Sequence, residues 1–302
     1  MIERGLRRRL EITAIIVNFN SGSRLEQCVM SLRRYLNMSS GDRIIVIDNA
    51  STDGSETVVA GLPCVDLVKL PKNIGYGAAC NHGAALARSP LLLFLNPDVR
   101  LISPVEAIRG DFASDPQVVC VAPMIVERGQ AIRSIRPFPT IWSDLAHELS
   151  FRRRPEYVSI DTGPMEFSGY AQGSCLFIRT SSFEKVGGFD PAFFLYYEET
   201  DLLRRMASGR FLFDPRCRVE HESGGSSSHL SWKRTALRYH GKVHYFKKHS
   251  SYGAFTIHRL LTLGVLMLKL LGAIVSPTLR VKRDAYRYAL ELYLHGHRPW
   301  NL

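Results

Sequence analysis

Two acidic residues stand where an apolar strand gives out. Asp48 closes the run RIIVID (43–48), and Asp98 follows LLLFLNP (91–97). A carboxylate delivered to the end of a buried strand can accept hydrogen bonds from a ligand or hold a hard divalent cation, which prefers oxygen partners. A third acidic group, Glu198, Glu199 and Asp201, follows the aromatic run FFLYY (193–197). Carboxylates so placed can take a proton from a weak nucleophile. His221 ends the run FLFDPRCRVEH (211–221) and could complete a metal site. Most of these residues also have an ordinary structural explanation. A single Asp after a strand serves as a turn residue, Asp201 and Arg205 are spaced for an ion pair on a helix surface, and a lone His is commonly structural. Ser51–Gly54 of VIDNASTDGS (46–55) can cap a helix, which leaves Asp48 unexplained.

These groups need a scaffold, and the first half of the chain alternates in the βαβ manner. Strands are expected at 12–19, 43–49, 65–70, 91–96 and 118–123, with helices over Ser23–Leu36, Gly54–Ala60 and Tyr76–Ala87. Such alternation predicts an α/β fold with a mostly parallel central sheet and helices on both faces. Ligands bind such sheets outside the carboxyl ends of the strands, where Asp48 and Asp98 both fall. The stretch KNIGYGAACNHG (72–83) sets Gly75, Gly77 and Gly83 around a helix start, for a close-approaching phosphate or for tight packing. Residues 124–165 read as an irregular surface excursion. A strand follows at 173–179, then a helix from about Glu198, then a strand pair or bend over 211–221. GGSSSH (224–229) reads as a flexible joint.

The charge is unevenly placed. From His229 to the end there are thirteen Lys/Arg and two acidic residues, a net of +11 that equals the formal charge of the whole chain. We therefore expect a balanced catalytic region, 1–228, and a basic, amphipathic helical region, 229–302, that meets an anionic surface. Within the latter, Phe255–Val275 is apolar but interrupted by His258, Arg259 and Lys269. His258, Thr262, Lys269 and Ser276 form one narrow stripe. A wide apolar face beside it suits a helix lying in the membrane interface, with Lys247, Lys248, Arg280, Lys282 and Arg283 adding attraction to anionic lipid. The alternative is a core-packed helix whose polar stripe faces water. Six scattered cysteines argue against a disulfide framework and for a reducing compartment. The opening MIERGLRRRLEI has no apolar core of a signal peptide and reads as a short arm.

The ordered set AIIVNFN, VIDNASTDGS, NIGYGAACNHG, FLNPD, GSCLFIR, GFDPAFFLYYEETDL and VEHESGGSS, spanning about residues 12–228, resembles the inverting family 2 glycosyltransferases of the GT-A fold. Within them it most resembles bacterial rhamnosyltransferases that use dTDP-L-rhamnose, some acting on polyprenyl-diphosphate-linked GlcNAc. The resemblance implies that Asp48 contacts the nucleotide base, that Asn96-Pro97-Asp98 is the DxD motif with Asp98 on Mg²⁺ or Mn²⁺, and that His221 completes the metal site. It implies that Glu198-Glu199 is the acid pair whose second member is the catalytic base, with Asp201 beside it as a further candidate. Asn18, Asn20, Asn49, Asn73, Gly75, Asn81 and Asn96 are expected around the nucleotide sugar, and Gly173 and Ser174 at the acceptor. Two departures stand out: Asn96 replaces the first Asp of DxD, and Glu199 is one methylene longer than the usual Asp. The expected partners are a nucleotide-sugar donor, a glycan or lipid-linked acceptor, and an anionic membrane surface on the cytoplasmic side of the cell membrane, in cell-envelope polysaccharide synthesis. Two alternatives stay open, a transferase of the same fold using a UDP- or GDP-linked sugar, and a nucleotidyltransferase. NFNSGSR offers the latter little basic phosphate grip. Nucleic-acid binding is not expected, since it would leave the acids at the strand ends without a role.

Overall fold

The computed structural model describes residues 9–150, 163–222, 231–275 and 283–295. The chain begins its sheet with β1 (Ile12–Asn18), whose seven residues are all buried. Even its one hydroxyl, Thr13, is satisfied internally, 2.7 Å from the Ser89 hydroxyl. Helix α1 (Arg24–Tyr35) follows, then β2 (Arg43–Asp48), β3 (Val65–Lys69), α2 (Tyr76–Leu86) and β4 (Leu91–Leu95). The first four strands pair in parallel in the order β3-β2-β1-β4. The central three are buried on both faces, as their unbroken apolar sequences predict.

Beyond β4 come β5 (Val99–Leu101), α3 (Glu106–Ser114) and β6 (Val118–Glu127), then the short β7 (Gln130–Ala131) and β8 (Ile135–Arg136). Helix α4 (Ile141–Ser150), β9 (Met165–Glu166), β10 (Tyr170–Ala171), β11 (Cys175–Arg179), α5 (Thr180–Lys185), α6 (Glu198–Arg205) and β12 (Arg210–His221) complete the first 222 residues. The sheet continues from β4 through β11, β6 and β12 to β5. Strands β11 and β5 run antiparallel to their neighbours and the rest of this path is parallel. One apolar layer joins the sheet to α1 and α3 through Leu25, Cys28, Leu32, Ile108 and Phe112. The other joins it to α2, α5 and α6 through Ala79, Cys80, Phe183, Leu202 and Leu203. Helices thus cover both faces.

Three local expectations change. The helix predicted over Gly54–Ala60 is a single 3-10 turn, Ser55–Val58. The segment from residue 124 carries the end of β6, two short strands and α4 before the described residues stop at 150. Residues 210–221 form one strand, in which a register shift between Asp214 and Arg218 absorbs Pro215, a residue that cannot donate to a sheet ladder. The predicted joint at 224–229 lies outside the described residues.

The C-terminal region forms α7 (Ser231–His249), α8 (Tyr252–Val275) and α9 (Arg283–His295). They share a core of Tyr239, Leu266, Ala273, Tyr286, Ala289, Leu292 and Tyr293. The polar stripe of α8 turns inward, onto α4. His258 and Thr262 are 0% exposed, and His258 Nε2 lies 3.0 Å from Asp144 Oδ2. Lys269 and Lys242 pair with Glu148, and Lys242 also meets Asp144 at 3.1 Å. Against the effect of burial, the two lysines hold the Glu148 carboxylate down to about 2. The apolar side faces outward instead, with Leu260 63% and Leu268 66% exposed. Ser276, Arg280 and Lys282 lie outside the described residues.

Candidate active site

The register of the sheet assembles the site. Asn18 pairs with Asp48 across β1 and β2, Cys175 lies opposite Leu95, and His221 lies opposite Val99. The ends of β1, β2 and β4 therefore meet the start of β11 and the end of β12. At the ends of β1 and β4 opens a cleft of ≈ 200 Å³, lined by Val17, Phe19, Ser21, Arg24, Asn96, Pro97, Asp98, Phe194 and Leu195. Asn49, Asn73, Gly75 and Tyr76 close it.

At the end of β2, Asp48 is buried and already has donors. Asn18 Nδ2 donates to it at 2.8 Å and the Ser51 amide at 3.2 Å. Asn18 also bonds the Ser51 and Ser55 hydroxyls. Asn20, at a positive φ of 52°, accepts from the Thr52 amide at 2.7 Å. Asn49 accepts from the Ile74 amide and donates to Asn73 Oδ1. Of these residues Asn49 and Asn73 line the cleft; Asn18, Asn20 and Asp48, expected at the nucleotide sugar, are tied into the adjoining polar network and are not among the lining residues. Asn81 is placed elsewhere: it bonds both the N–H and the C=O of Phe189 and does not line the cleft. The glycines are explained by packing. A Cβ on Gly75 (φ +89°) would lie 2.6 Å from the Phe194 carbonyl, and one on Gly83 would lie 2.5 Å from Ile15. The Tyr76 amide donates to that same Phe194 carbonyl at 2.8 Å, which draws the aromatic loop over the cleft.

Asp98 and His221 do meet. The imidazole Nε2 lies 3.6 Å from Asp98 Oδ2, and Nδ1 lies 2.7 Å from Glu127 Oε1. Asp98 and then Glu127 hold the imidazole pKa up at about 9 against the opposing effect of burial. Asp98 Oδ1 is buried without a hydrogen-bond partner, which the molecule leaves uncompensated unless something binds there. An orphaned carboxylate oxygen beside an imidazole whose other nitrogen is fixed by a carboxylate fits a divalent cation. Among the described residues no group of three potential protein ligands converges. Asp98 and His221 would then leave the remaining coordination positions to phosphate oxygens and water, as Mg²⁺ sites commonly do. Glu127 was missed from sequence; it ends β6, and only the register with β12 brings it to His221.

The acid cluster on α6 divides. Gly173 makes room for Glu199: a Cβ there would lie 3.1 Å from Glu199 Cβ and Cγ. Next to it, the Ser174 carbonyl accepts from the Asn96 amide at 2.9 Å. The expected acceptor residues thus link the DxD-like turn to Glu199. Burial raises the pKa of Glu199, opposed by backbone donors and by the charges of Arg136 and Arg238. Burial raises Glu198 well above its ordinary value too, and the Glu199 charge adds to it. Asp201 departs from the expectation. It is fully buried and receives Arg205 Nε at 2.8 Å, His249 Nε2 at 2.7 Å and Lys248 at 2.9 Å. Although burial alone would raise it, those partners hold its pKa down to about 2, so it is a poor proton acceptor and a structural tie between α6 and α7. Asp201→Asn should therefore cost about 3–5 kcal/mol of stability, the usual loss from breaking a buried pair. Its folded pKa is depressed, so this contribution is present above about 3.9 and fades as pH falls toward 2. Urea unfolding of both proteins at pH 7 and pH 3 measures it.

The profile of Glycosyl transferase family 2 matches residues 13–187, more than half of the chain. The chain belongs to glycosyltransferase family 2. Residues 13–187 run from β1 to the loop before the aromatic run, so the family match contains Asp48, Asp98 and Gly173. Among characterised relatives, the N-acetylglucosaminyl-diphospho-decaprenol L-rhamnosyltransferase of Mycobacterium tuberculosis is 28% identical over 248 residues, covering 73% of this chain and 80% of that protein. The low-salt glycan biosynthesis hexosyltransferase Agl10 of Haloferax volcanii is 25% identical over 201 residues, covering 65% of this chain and 61% of that protein. The mannosyltransferase PcManGT of Pyrobaculum calidifontis, solved with GDP-Man and Mn²⁺, superposes with a TM-score of 0.58 at 14% identity, over 96% of this chain and 88% of that one. GalNAc-T7, solved with UDP, GalNAc and Mn²⁺, gives 0.57 at 18% identity, over 78% of this chain and about half (48%) of that one. This family 2 glycosyltransferase therefore has the GT-A fold, with an apolar C-terminal helix appended.

Proposed function

We propose that this glycosyltransferase moves L-rhamnose from dTDP-L-rhamnose to a hydroxyl of polyprenyl-diphosphate-linked GlcNAc, inverting the anomeric carbon, in cell-envelope polysaccharide synthesis. The observation that carries the reading is the convergence of the Asp98–His221 pair and Glu199 on the two sides of the Asn96–Ser174 contact. Similarity to the mycobacterial rhamnosyltransferase supports the choice of sugar and acceptor.

In this reading Asp98 and His221 hold Mg²⁺ or Mn²⁺, which when bound neutralises the charge growing on the leaving diphosphate. Solved neighbours that contain Mn²⁺ support a divalent metal. Asn49, Asn73, Gly75 and Asn96 of the cleft lining seat the nucleotide sugar, with Asn18, Asn20 and Asp48 in the network beside them, joined by Arg24 and Phe19, which sequence reading did not single out. Arg24 opens α1 just past β1, and its buried Nε makes no hydrogen bond but lies 3.7 Å from Glu222 Oε2. Gly173 and Ser174 face the acceptor. Glu199, its pKa raised by burial, accepts the hydroxyl proton as the oxygen attacks. The alternative is the same chemistry with a UDP- or GDP-linked sugar, supported by the nucleotides in the solved neighbours. A panel of nucleotide sugars tested for protection against thermal unfolding, with and without Mn²⁺, separates them. A ligand at 100 times its dissociation constant stabilises by about 2.7 kcal/mol. We expect dTDP-L-rhamnose with metal to protect most; stronger protection by a UDP or GDP sugar would replace it as donor.

The membrane assignment rests on α8. Of the helices in the described residues, it alone is long and apolar enough to cross a membrane, over Tyr252–Ile274. Its outward side presents Leu260, Met267, Leu268, Leu271 and Ile274, and Trp142 and Leu149 of α4 are exposed as well. We read this as a surface that sits in the cytoplasmic face of the cell membrane. Deleting the tail would be a poor test, because Asp144 and Glu148 would lose their buried partners. Leu268→Asp with Leu271→Asp spares those pairs and removes two anchors, each worth roughly 1.5–3 kcal/mol when buried. Sedimentation with anionic vesicles should show binding weakened by at least about tenfold. Unchanged partition would make the face structural.

A further inference from the structure

The acids at the start of α6 are aimed by an unusual turn. Tyr196 and Tyr197 both have positive φ, 70° and 72°, a conformation that bulky L-residues hold only when their surroundings impose it. The C-terminal region packs directly on this turn. The midpoint of α7 carries Gly241, and a Cβ there would lie 2.4 Å from the Tyr196 carbonyl oxygen and 3.2 Å from Tyr197 Cβ. Glycine inside a helix weakens it, so its place in α7 is accounted for by this close approach. The same helix sets the Tyr245 ring 5.6 Å from that of Tyr197 and the Arg238 guanidinium 5.0 Å over the ring of Tyr196. His249 and Lys248, one helical end away, hold Asp201.

We propose that α7 is a positioning element of the active site, with Gly241 as the residue through which it holds the Tyr196–Tyr197 turn that aims Glu198 and Glu199. The inference rests on the reading of Glu199 as the base. It makes the C-terminal helices part of the catalytic geometry, joined to the surface of α8 through the shared core of α7, α8 and α9.

Gly241→Ala tests it. Alanine is the better helix former, so a role confined to α7 predicts equal or greater stability and normal turnover. The positioning role predicts a kcat at least about tenfold lower, since displacement of about 1 Å can cost as much as 10²-fold. It also predicts donor-induced thermal protection reduced far less than kcat, because the strand-end residues of the cleft are untouched and only Phe194 and Leu195 of its lining adjoin the turn. Gly241→Val should lower kcat further. If alanine prevents folding, Tyr245→Leu serves instead: it leaves Gly241 in place and removes the α7 ring packed on Tyr197, so the positioning role predicts lowered kcat with the fold retained. A kcat within twofold of the parent in whichever of these variants folds overturns the proposal. Glu199→Gln run in parallel separates the two claims. If it stays active while Gly241→Ala is impaired, the base assignment fails and the turn aims Glu198; if it is dead while Gly241→Ala is normal, the positioning claim alone fails.

Discussion

Asp98→Ala should abolish transfer and leave the fold intact. The side chain makes no hydrogen bond through Oδ1 and meets His221 through Oδ2 at 3.6 Å, so its removal takes little from packing; it costs the imidazole part of its charge stabilisation, but Glu127 remains bonded to the other ring nitrogen. What it takes is an anionic oxygen of the proposed metal site. Metal stabilisation of a leaving group is worth several kcal/mol, or about 10³-fold in rate. Nucleotide protection against unfolding should lose its dependence on Mn²⁺ in the variant. Metal-dependent donor binding that survives the substitution would take Asp98 out of the site.

Glu199→Gln should be as damaging, by a different route. Gln preserves size and hydrogen bonding but cannot accept the proton, a loss that typically costs ~10²–10⁴ in rate with binding little changed. Its effect on stability should have the opposite sign to that of Asp201→Asn. Burial raises the Glu199 pKa, so the folded state binds this proton more tightly than the unfolded one. That contribution is present below the ordinary carboxylate value of about 4.3 and is lost as pH rises through the folded value. A neutral Gln avoids the loss, so the variant should unfold at the same or higher temperature at pH 7 while being nearly inactive. Glu199→Asp should keep partial activity, its carboxylate drawn back by a methylene. Normal turnover by Glu199→Gln, with Glu198→Gln dead, would move the base one residue along the helix.

The contrast between Asp98 and Asp201 shows what a single sequence carries. Asp98 is legible because an apolar run ends on it, and a strand buried on both faces has few reasons to do so. The tie of Asp201 to Arg205 was legible from the i,i+4 spacing and is present, but its other partner His249 is 48 residues away, and no local pattern announces that pairing. Asn81 is the same case, bonded to Phe189 across 108 residues. The polar stripe of α8 was legible as a stripe. Its direction was not, because the answering acids, Asp144 and Glu148, sit four residues apart on a helix in a stretch whose Arg and Pro content reads as irregular. The parallel strands β1, β2 and β4 were legible for the reason that makes them stable: buried on both faces, they are apolar over most of their length. The glycines of the 72–83 stretch were legible as special but not as to cause, since Gly75 accommodates a loop more than 100 residues downstream.

The most direct test of the account is the product itself. The protein, with Mn²⁺ and dTDP-L-rhamnose, should convert polyprenyl-diphosphate-linked GlcNAc into a species heavier by one deoxyhexose, seen by mass spectrometry, and Asp98→Ala and Glu199→Gln should not. No conversion with dTDP-L-rhamnose, while a UDP- or GDP-linked sugar adds a hexose to that acceptor or another, would contradict it.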